Sequence, residues 1–328
     1  MEFPTEPYIN WELGVELEDF EVISRRSLMQ GLYPVVLAAA PRKESTIGFA
    51  TGTYGMKTMR TEDAFRAIAK IGYDGVEPCF ISGWPSDPAT VSAANRRAFR
   101  KVIDETRLLV PAVLESLTIT GTAEKRAYNL ERLKLAADFG HELAPSDPPV
   151  LDTTLGGKTV EWEKWKFPFA DELSAWAKVA EENNATFCFK PHAAEAVNSA
   201  ERAIWLLKQV NSPRIRIIYD YSHFYVEGFA LEPSLKELLP YIAFISVKDA
   251  VGKPEDHQYL LPGDGKTDYL EYFRLLKRLG YSGFVGVEVS KMIFQKPGYE
   301  PVPTAQLCYD RLSPIFEKAN IKRRKRSA

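Results

Sequence analysis

An α/β chain folded as a single (β/α)8 TIM barrel, carrying an N-terminal extension, is the architecture this sequence predicts. From residue 46 onward, short apolar runs alternate with longer helical patterns about eight times, the rhythm of a parallel α/β fold. The 328 residues suit one barrel of about 250 residues plus tails. No Gly-x-Gly-x-x-Gly follows the first run, and eight repeats exceed the roughly five or six of an open doubly wound sheet, so a dinucleotide site is unsupported.

The first strand-like run is 46–50. Thr61 is placed as the N-cap of the next helix, with Glu62 and Asp63 in its first turn, Ala64, Phe65, Ile68 and Ala69 on its apolar face, and Gly72 as its stop. The second run is 75–79, with a helix at about 90–107. The third is 109–117, with a helix over 123–139 stopped by Gly140. After the fourth run, 150–154, a loop bearing Trp162 and Trp165 leads to a helix near 169–183. The fifth run, 186–190, precedes a helix at 199–210 that presents Ile204, Leu206 and Leu207. The sixth is 215–220 and the seventh 242–248. A polar loop then leads to a helix over 268–279 with Leu270, Phe273, Leu276 and Leu279 inward. The eighth run is 284–289, and the last helix covers about 304–319.

This gives an extension over 1–45, a barrel over 46–320 and a basic tail over 321–328. With 42 basic and 44 acidic residues the net charge is −2, which argues against a chain-wide field for nucleic acid or membrane. No run reaches the length of a membrane span. Cys79, Cys188 and Cys308 are too far apart for a disulfide framework or a zinc ribbon and read as buried thiols. Ser24-Arg25-Arg26-Ser27-Leu28-Met29, followed by an apolar stretch ending at Ala38-Ala39-Ala40, resembles a twin-arginine export signal. The long acidic leader, Pro34 and Pro41 count against it, so periplasm and cytoplasm both stay open. Lys322-Arg323-Arg324-Lys325-Arg326 reads as a solvated tail.

Polar residues cluster where the predicted strands end, the place from which barrel enzymes build their sites. They are Glu77 at strand two, Glu115 at strand three, Lys190 and His192 at strand five, Asp220 and His223 at strand six, Lys248 and Asp249 at strand seven, and Glu288 at strand eight. Asp220 closes Ile215-Arg216-Ile217-Ile218-Tyr219 and Glu288 closes Phe284-Val285-Gly286-Val287. A carboxylate ending such a buried run needs a metal, a cation or several donors. Glu115 reads as structural, and His141 and His257 as loop residues.

Phe189-Lys190-Pro191-His192, Tyr219-Asp220-Tyr221-Ser222-His223, Val247-Lys248-Asp249 and Val287-Glu288-Val289 occur in order at barrel spacing. Leu261-Pro262-Gly263-Asp264-Gly265 precedes the seventh helix and Gly280-Tyr281-Ser282-Gly283 precedes strand eight. On these motifs the chain, over about 46–318, resembles the xylose-isomerase-like superfamily of TIM barrels, which groups sugar phosphate isomerases and epimerases with apurinic-endonuclease-like proteins. The resemblance implies a divalent metal (Mn2+, Mg2+ or Co2+) held by a glutamate at strand five, an aspartate at strand six, a histidine at strand seven and a glutamate at strand eight. Asp220 and Glu288 match. The strand-five glutamate falls on Lys190, and the strand-seven histidine falls on Ser246. An ammonium repels a divalent cation. Either Lys190 takes the metal's place and pairs with Asp220 and Glu288, or His192 or His223 joins the two carboxylates around a metal.

The resemblance implies a sugar or polyol isomerase or epimerase that moves a proton next to a carbonyl, with Glu288 as base. Lys190 is then an electrostatic clamp or, with a depressed pKa, the partner acid. His192, His223 and Glu77 are expected to bind substrate hydroxyls, Lys248 to bind a carboxylate or phosphate, and Trp84, Trp162 and Trp165 to offer aromatic faces. The expected partner is a small sugar or polyol, without nucleic acid, and self-association is left open. Alternatives are a keto-polyol dehydratase or lyase and a non-catalytic carbohydrate-binding barrel. A repair endonuclease would need a histidine-rich zinc cluster, and the chain has four histidines.

Overall fold

The computed structural model describes residues 46–324. In chain order the elements are β1 (Thr46–Gly52), α1 (Thr61–Ile71), β2 (Gly75–Glu77), α2 (Ala93–Thr106), β3 (Ala112–Leu114), α3 (Ala123–Leu143) and β4 (Val150–Thr153). There follow α4 (Trp162–Glu182), β5 (Phe187–Phe189), α5 (Ala200–Val210), β6 (Ile215–Asp220), α6 (Tyr221–Val226), α7 (Leu231–Leu238) and β7 (Ile242–Val247). The chain ends with β8 (Asp249–Lys253), β9 (Asp256–Leu260), α8 (Tyr269–Arg278), β10 (Phe284–Val287), α9 (Lys291–Phe294), α10 (Pro301–Lys318) and β11 (Lys322–Arg323).

Strands β1 to β7 and β10 make the barrel. The parallel order β3-β4-β5-β6-β7-β10-β1-β2 runs around it. Single parallel bridges, Gly75 to Leu109 and Cys79 to Leu114, close β2 onto β3. The strands are apolar on both faces because helices cover the outside while side chains fill the bore.

Two packing regions follow from that alternation. The outer core joins strands to helices through residues such as Phe49, Phe65, Phe139, Trp176, Tyr219, Phe273 and Phe316, all buried. The bore holds a smaller cluster of Ala50, Ala112, Cys188, Ile218, Phe244 and Phe284. Glycine makes room for its two large rings. A Cβ on Gly286 would lie 2.4 Å from the Phe244 ring, and one on Gly48 would lie 2.2 Å from the Phe284 ring. Phe244 and Phe284 therefore plug the bore below the C-terminal mouth.

Ser92, Thr122, Ser199 and Asp268 cap helices α2, α3, α5 and α8 through side-chain oxygens that accept a backbone N–H. Several expected boundaries shift. Thr61 is the first helical residue and Arg60 the cap position, without a side-chain cap. Helix α3 runs through Gly140 to Leu143. Gly140 is there because Pro149 packs against it, 3.0 Å from where a Cβ would stand, and not because the helix stops. Helix α4 starts at Trp162 and carries Pro168 inside it, so the expected Trp-rich loop is its first turn. Two short helices, α6 and α7, fill the β6–β7 connection. The polar loop after β7 is an antiparallel hairpin, β8–β9.

The basic run is not wholly a solvated tail. Lys322 and Arg323 pair with β1 as a short parallel strand. The Arg323 guanidinium reaches Asp74 at 2.7 Å, Gly72 O at 2.9 Å and the Tyr309 hydroxyl at 3.1 Å. Cys79, Cys188 and Cys308 are buried free thiols. Among the described residues no helix is long and apolar enough to cross a membrane. The twin-arginine segment lies outside the described residues.

The bore plug gives a direct stability test. Gly286→Ala should cost about 1–3 kcal/mol in urea unfolding, the usual penalty for overpacking, and Phe244→Leu in the same chain should recover part of it. An unchanged midpoint for Gly286→Ala alone would contradict the close packing described.

Candidate active site

Above the phenylalanine plug, the next inward positions carry charge. Two residues beyond the bore-facing Ile218 stands Asp220, and two beyond Val150, which packs on the same cluster, stands Asp152. Glu77 and Glu288 occupy the matching places at the ends of β2 and β10. A TIM barrel fills each layer from alternate strands, and here all four members are carboxyl groups. Glu77, Asp152 and Asp220 are buried, and Glu288 keeps 14% of its side chain exposed.

The intervening strands supply the counter-charges. Lys190 follows Cys188 on β5, and Lys248 follows Ser246 on β7. Lys190 Nζ lies 2.6 Å from Glu288 Oε2 and 3.1 Å from Asp152 Oδ2. Lys248 Nζ lies 3.0 Å from Glu288 Oε1 and also donates to Asp220 Oδ2. Glu288 thus joins the two ammonium groups, one to each oxygen. Asp220 accepts in addition from the Ser222 amide at 3.0 Å and the Ser222 hydroxyl at 2.6 Å. Such pairing is obligatory, since an uncompensated buried charge costs several kcal/mol, about 3–5 when one partner of a pair is removed.

The ionisation states follow from the arrangement. Burial opposes the Lys190 ammonium, but Asp152 and Glu288, with Asp220 and Glu77 beyond them, hold its pKa well above the ordinary lysine value. Burial opposes the Glu288 anion too, but Lys190 and then Lys248 overcome this and hold its carboxyl well below the usual range. Asp152 goes the other way. Burial, opposed by Lys190 and aided by the Glu288 charge, pushes it up to about 6. Burial and the neighbouring Asp152 raise Glu77 well above the carboxylate range, and its Oε1 is buried without a hydrogen-bond partner.

A histidine–tyrosine layer lies beside the ammonium groups. The Ala193 amide donates to His223 Nδ1 at 3.2 Å, which makes Nδ1 an acceptor and leaves the proton of the neutral ring on Nε2. The Tyr259 hydroxyl meets the same Nδ1 at 2.7 Å, and Nε2 stands 3.5 Å from Asp220 Oδ2. Burial, then His192 and Lys248, push His223 well below its ordinary pKa. His192 packs against it, tilted by 39° with ring centres 3.9 Å apart. Its Nδ1 donates to Ala193 O at 3.0 Å, so Nε2 is the ring's lone-pair nitrogen. Burial lowers this histidine as well.

These groups border a cavity of about 440 Å³ at the barrel mouth, within the range of small-ligand sites. Its wall includes Tyr54, Glu115, Asp152, Lys190, His192, His223, Tyr259 and Glu288. Burial and the Glu288 charge push the Tyr54 phenol up to about 12, so it stays a neutral donor. The rim is braced by Arg132 on α3, buried between Asp87, Glu115 and Phe80 O, which locks the loops after β2 and β3 together.

The structure brings Lys190, Lys248, Asp220 and Glu288 into one cluster, with His223 against it and His192 on the wall. It differs from the expected pairing in one respect: Asp220 contacts Lys248, not Lys190. Burial among carboxylates also raises the Lys190 pKa where a partner acid required a depressed one. Lys248 is itself buried and engaged by two carboxylates. Glu77 lies in the buried layer, outside the cavity wall. Trp84 stacks on Tyr54, Trp162 meets Trp205 edge-on and Trp165 stacks on Phe169. The aromatic faces on the cavity are those of Tyr54 and Tyr259. Asp152 and Tyr259 were not anticipated. Asp152 interrupts the apolar run Val150-Leu151, the same signal that marks Asp220, whereas nothing local marks Tyr259.

A divalent metal fits this donor set poorly. Two ammonium groups stand among the carboxylates that would hold it. At an effective dielectric of about 20, an ammonium about 4 Å from a divalent ion repels it by about 8 kcal/mol. Ser246 offers only a hydroxyl at β7, and His223 Nδ1 already has two partners.

Asp152 sets a pH dependence. A carboxyl with a higher pKa in the folded than in the unfolded chain favours folding at low pH, and that contribution is lost as pH rises from the ordinary 3.8 through about 6. In urea titrations between these pH values, the wild type should lose stability relative to Asp152→Asn as pH rises. Parallel curves for the two proteins would rule out the raised value.

The model of the xylose isomerase-like TIM barrel family matches residues 65–306. Fructoselysine 3-epimerase of Escherichia coli O157:H7 is 23% identical over 258 residues, which cover 75% of this chain and 91% of that protein. Among solved structures, the 3-keto-D-glucoside 4-epimerase YcjR of E. coli superposes with a TM-score of 0.66 at 16% identity, covering 83% of this chain and all of that one. The zinc-containing structure of the IOLI protein gives a TM-score of 0.67 at 18% identity, covering 82% and 99%. The fold, the strand-end placement of the charged groups and the family match agree, and the chain belongs to the xylose isomerase-like TIM barrel family.

Proposed function

We propose that this protein is a sugar or polyol isomerase or epimerase that moves a proton on a carbon next to a carbonyl. The observation that carries this reading is the position of Lys190, an ammonium with a carboxyl on either side, Glu288 at 2.6 Å and Asp152 at 3.1 Å. A carbonyl oxygen received by Lys190 sets the adjacent C–H between two carboxyl groups. The fructoselysine and 3-keto-glucoside epimerases among its relatives support a carbohydrate substrate.

Glu288 is the base. It is ionised, and it is the most exposed of the four layer carboxyls. A carboxylate with a depressed pKa is a weak base in isolation. Here the charge it gives up reappears on the enediolate oxygen, in the field of the same two ammonium groups, so the transfer moves an anion within one cationic environment. Lys190 serves as the electrostatic clamp. Asp152, with a pKa near the working range, returns a proton from the other side. The lone pair on His192 Nε2 and the hydroxyls of Tyr54 and Tyr259 orient substrate hydroxyls.

The full-length chain, incubated with a panel of ketoses in D2O, should place deuterium at the carbon beside the carbonyl and form the epimer or the aldose isomer without change of oxygen count. A product lacking one water would make it a dehydratase, and no exchange with any ketose would overturn the reading. Glu288→Gln and Lys190→Met should each reduce turnover by about 10²–10⁴-fold while the near-UV circular dichroism persists. Activity retained in either folded variant rejects the role given to that residue.

A further inference from the structure

We propose that the ammonium groups of Lys190 and Lys248 together do the electrostatic work of a bound divalent cation, so that this site is complete without a metal ion. Three carboxylates converge as they would around a cation: Asp152 and Glu288 on Lys190, Glu288 and Asp220 on Lys248. The charge at the centre is +2, split between two positions. Each half is tethered to its own strand, β5 or β7, and neither side chain exposes more than 4% of its surface. Neither lysine can swing out to admit an ion without leaving carboxylates unpaired.

The side chains around the two lysines agree. Lys248 Nζ lies 4.8 Å from the centre of the Tyr259 ring, a cation–π contact that adds to its retention. Neither nitrogen of His223 is free for a metal: Nδ1 accepts from the Ala193 amide, and Nε2, which carries the ring proton, faces Lys248 Nζ at 3.2 Å. The position below Lys248 on β7 is Ser246, whose hydroxyl is buried without a hydrogen-bond partner. The three carboxylates stand around two separate ammonium nitrogens and not around one point, and among the described residues no three histidine, cysteine, aspartate or glutamate side chains are grouped so as to hold one metal ion.

A tethered dication differs chemically from a metal ion. An ammonium stabilises an enediolate by donating hydrogen bonds along fixed directions, and it does not exchange with solvent ions. The site should therefore be indifferent to chelators. For activity, this inference rests on the epimerase reading; for metal binding, it stands apart from it.

The test uses the full-length chain dialysed against EDTA and titrated with Mn2+ and Zn2+ by calorimetry, with Mn2+ electron paramagnetic resonance as a second readout. The wild type should bind neither ion at this site, and Lys190→Glu, which puts a fourth carboxylate in the cluster, should bind Mn2+ roughly tenfold or more tightly than the wild type. Stoichiometric binding by the wild type that Glu288→Gln removes overturns the proposal. So does a folded Lys190→Glu protein that gains no affinity, since the lysine then does not hold a cation's place. Should Lys190→Glu fail to fold, the wild-type titration decides alone. If ketose turnover is found, EDTA should leave the rate unchanged, and loss restored by a metal overturns the proposal. If no ketose is turned over, the epimerase reading fails while the titrations still decide this one.

Discussion

Charge balance at the barrel mouth is the constraint on which the site depends. Four carboxyl groups are forced into one layer by strand alternation, and helices and a plugged bore leave three of them buried and only Glu288 partly open to water. Two lysines can neutralise half of that charge, and burial with mutual repulsion raises the pKa of the other two acids, Glu77 well above the carboxylate range and Asp152 to about 6. Glu288 is the keystone. Each of its oxygens holds one ammonium group, so the two ion pairs form one network spanning β4, β5, β6, β7 and β10. A buried network of this kind is weak grounds for stability, because an apolar replacement of equal shape is often as stable. Its presence is better understood as equipment for chemistry.

The fold accounts for the division of labour. Carboxyls come from β2, β4, β6 and β10, and ammonium groups from β5 and β7, so from β4 round to β10 neighbouring strands alternate in sign at the mouth. Side chains from adjacent strands are staggered in height, which lets an ammonium stem reach the carboxyls beside it. The outer braces act on the loops. Arg132 secures the connections after β2 and β3, and the β8–β9 hairpin brings Tyr259 over His223. Rigid strands thus set the charged groups, while loops and the hairpin set the donors that face the cavity.

Much of this was legible in the sequence. The eightfold rhythm gives the barrel, and a charged residue ending an apolar run points to Asp220, Glu288, Lys190 and Lys248. The pairing among them was not legible. Whether Asp220 meets Lys190 or Lys248 depends on stagger around the bore, a property of the closed barrel that no single segment carries. Tyr259 escaped notice because it reaches the site through a hairpin whose sequence, Asp256-His257-Gln258-Tyr259-Leu260, is polar enough to read as a loop. Gly140 misled in the opposite sense: a glycine near a helix end suggests a stop, but here its missing side chain admits Pro149. Arg323 shows that a run of basic residues can begin inside a fold when a buried acid, Asp74, awaits it.

The plug of Phe244 and Phe284 has a bearing on traffic through the site. With the bore sealed from below, hydrogen ions and reactant share a single doorway. Once a molecule occupies it, the inner acids have no rear exit to bulk solvent, so in the proposed reaction the acid opposite the base must take up its proton from solvent before the reactant enters. The two rings that fill the bore thereby confine solvent exchange at the inner acids to the intervals between reactants.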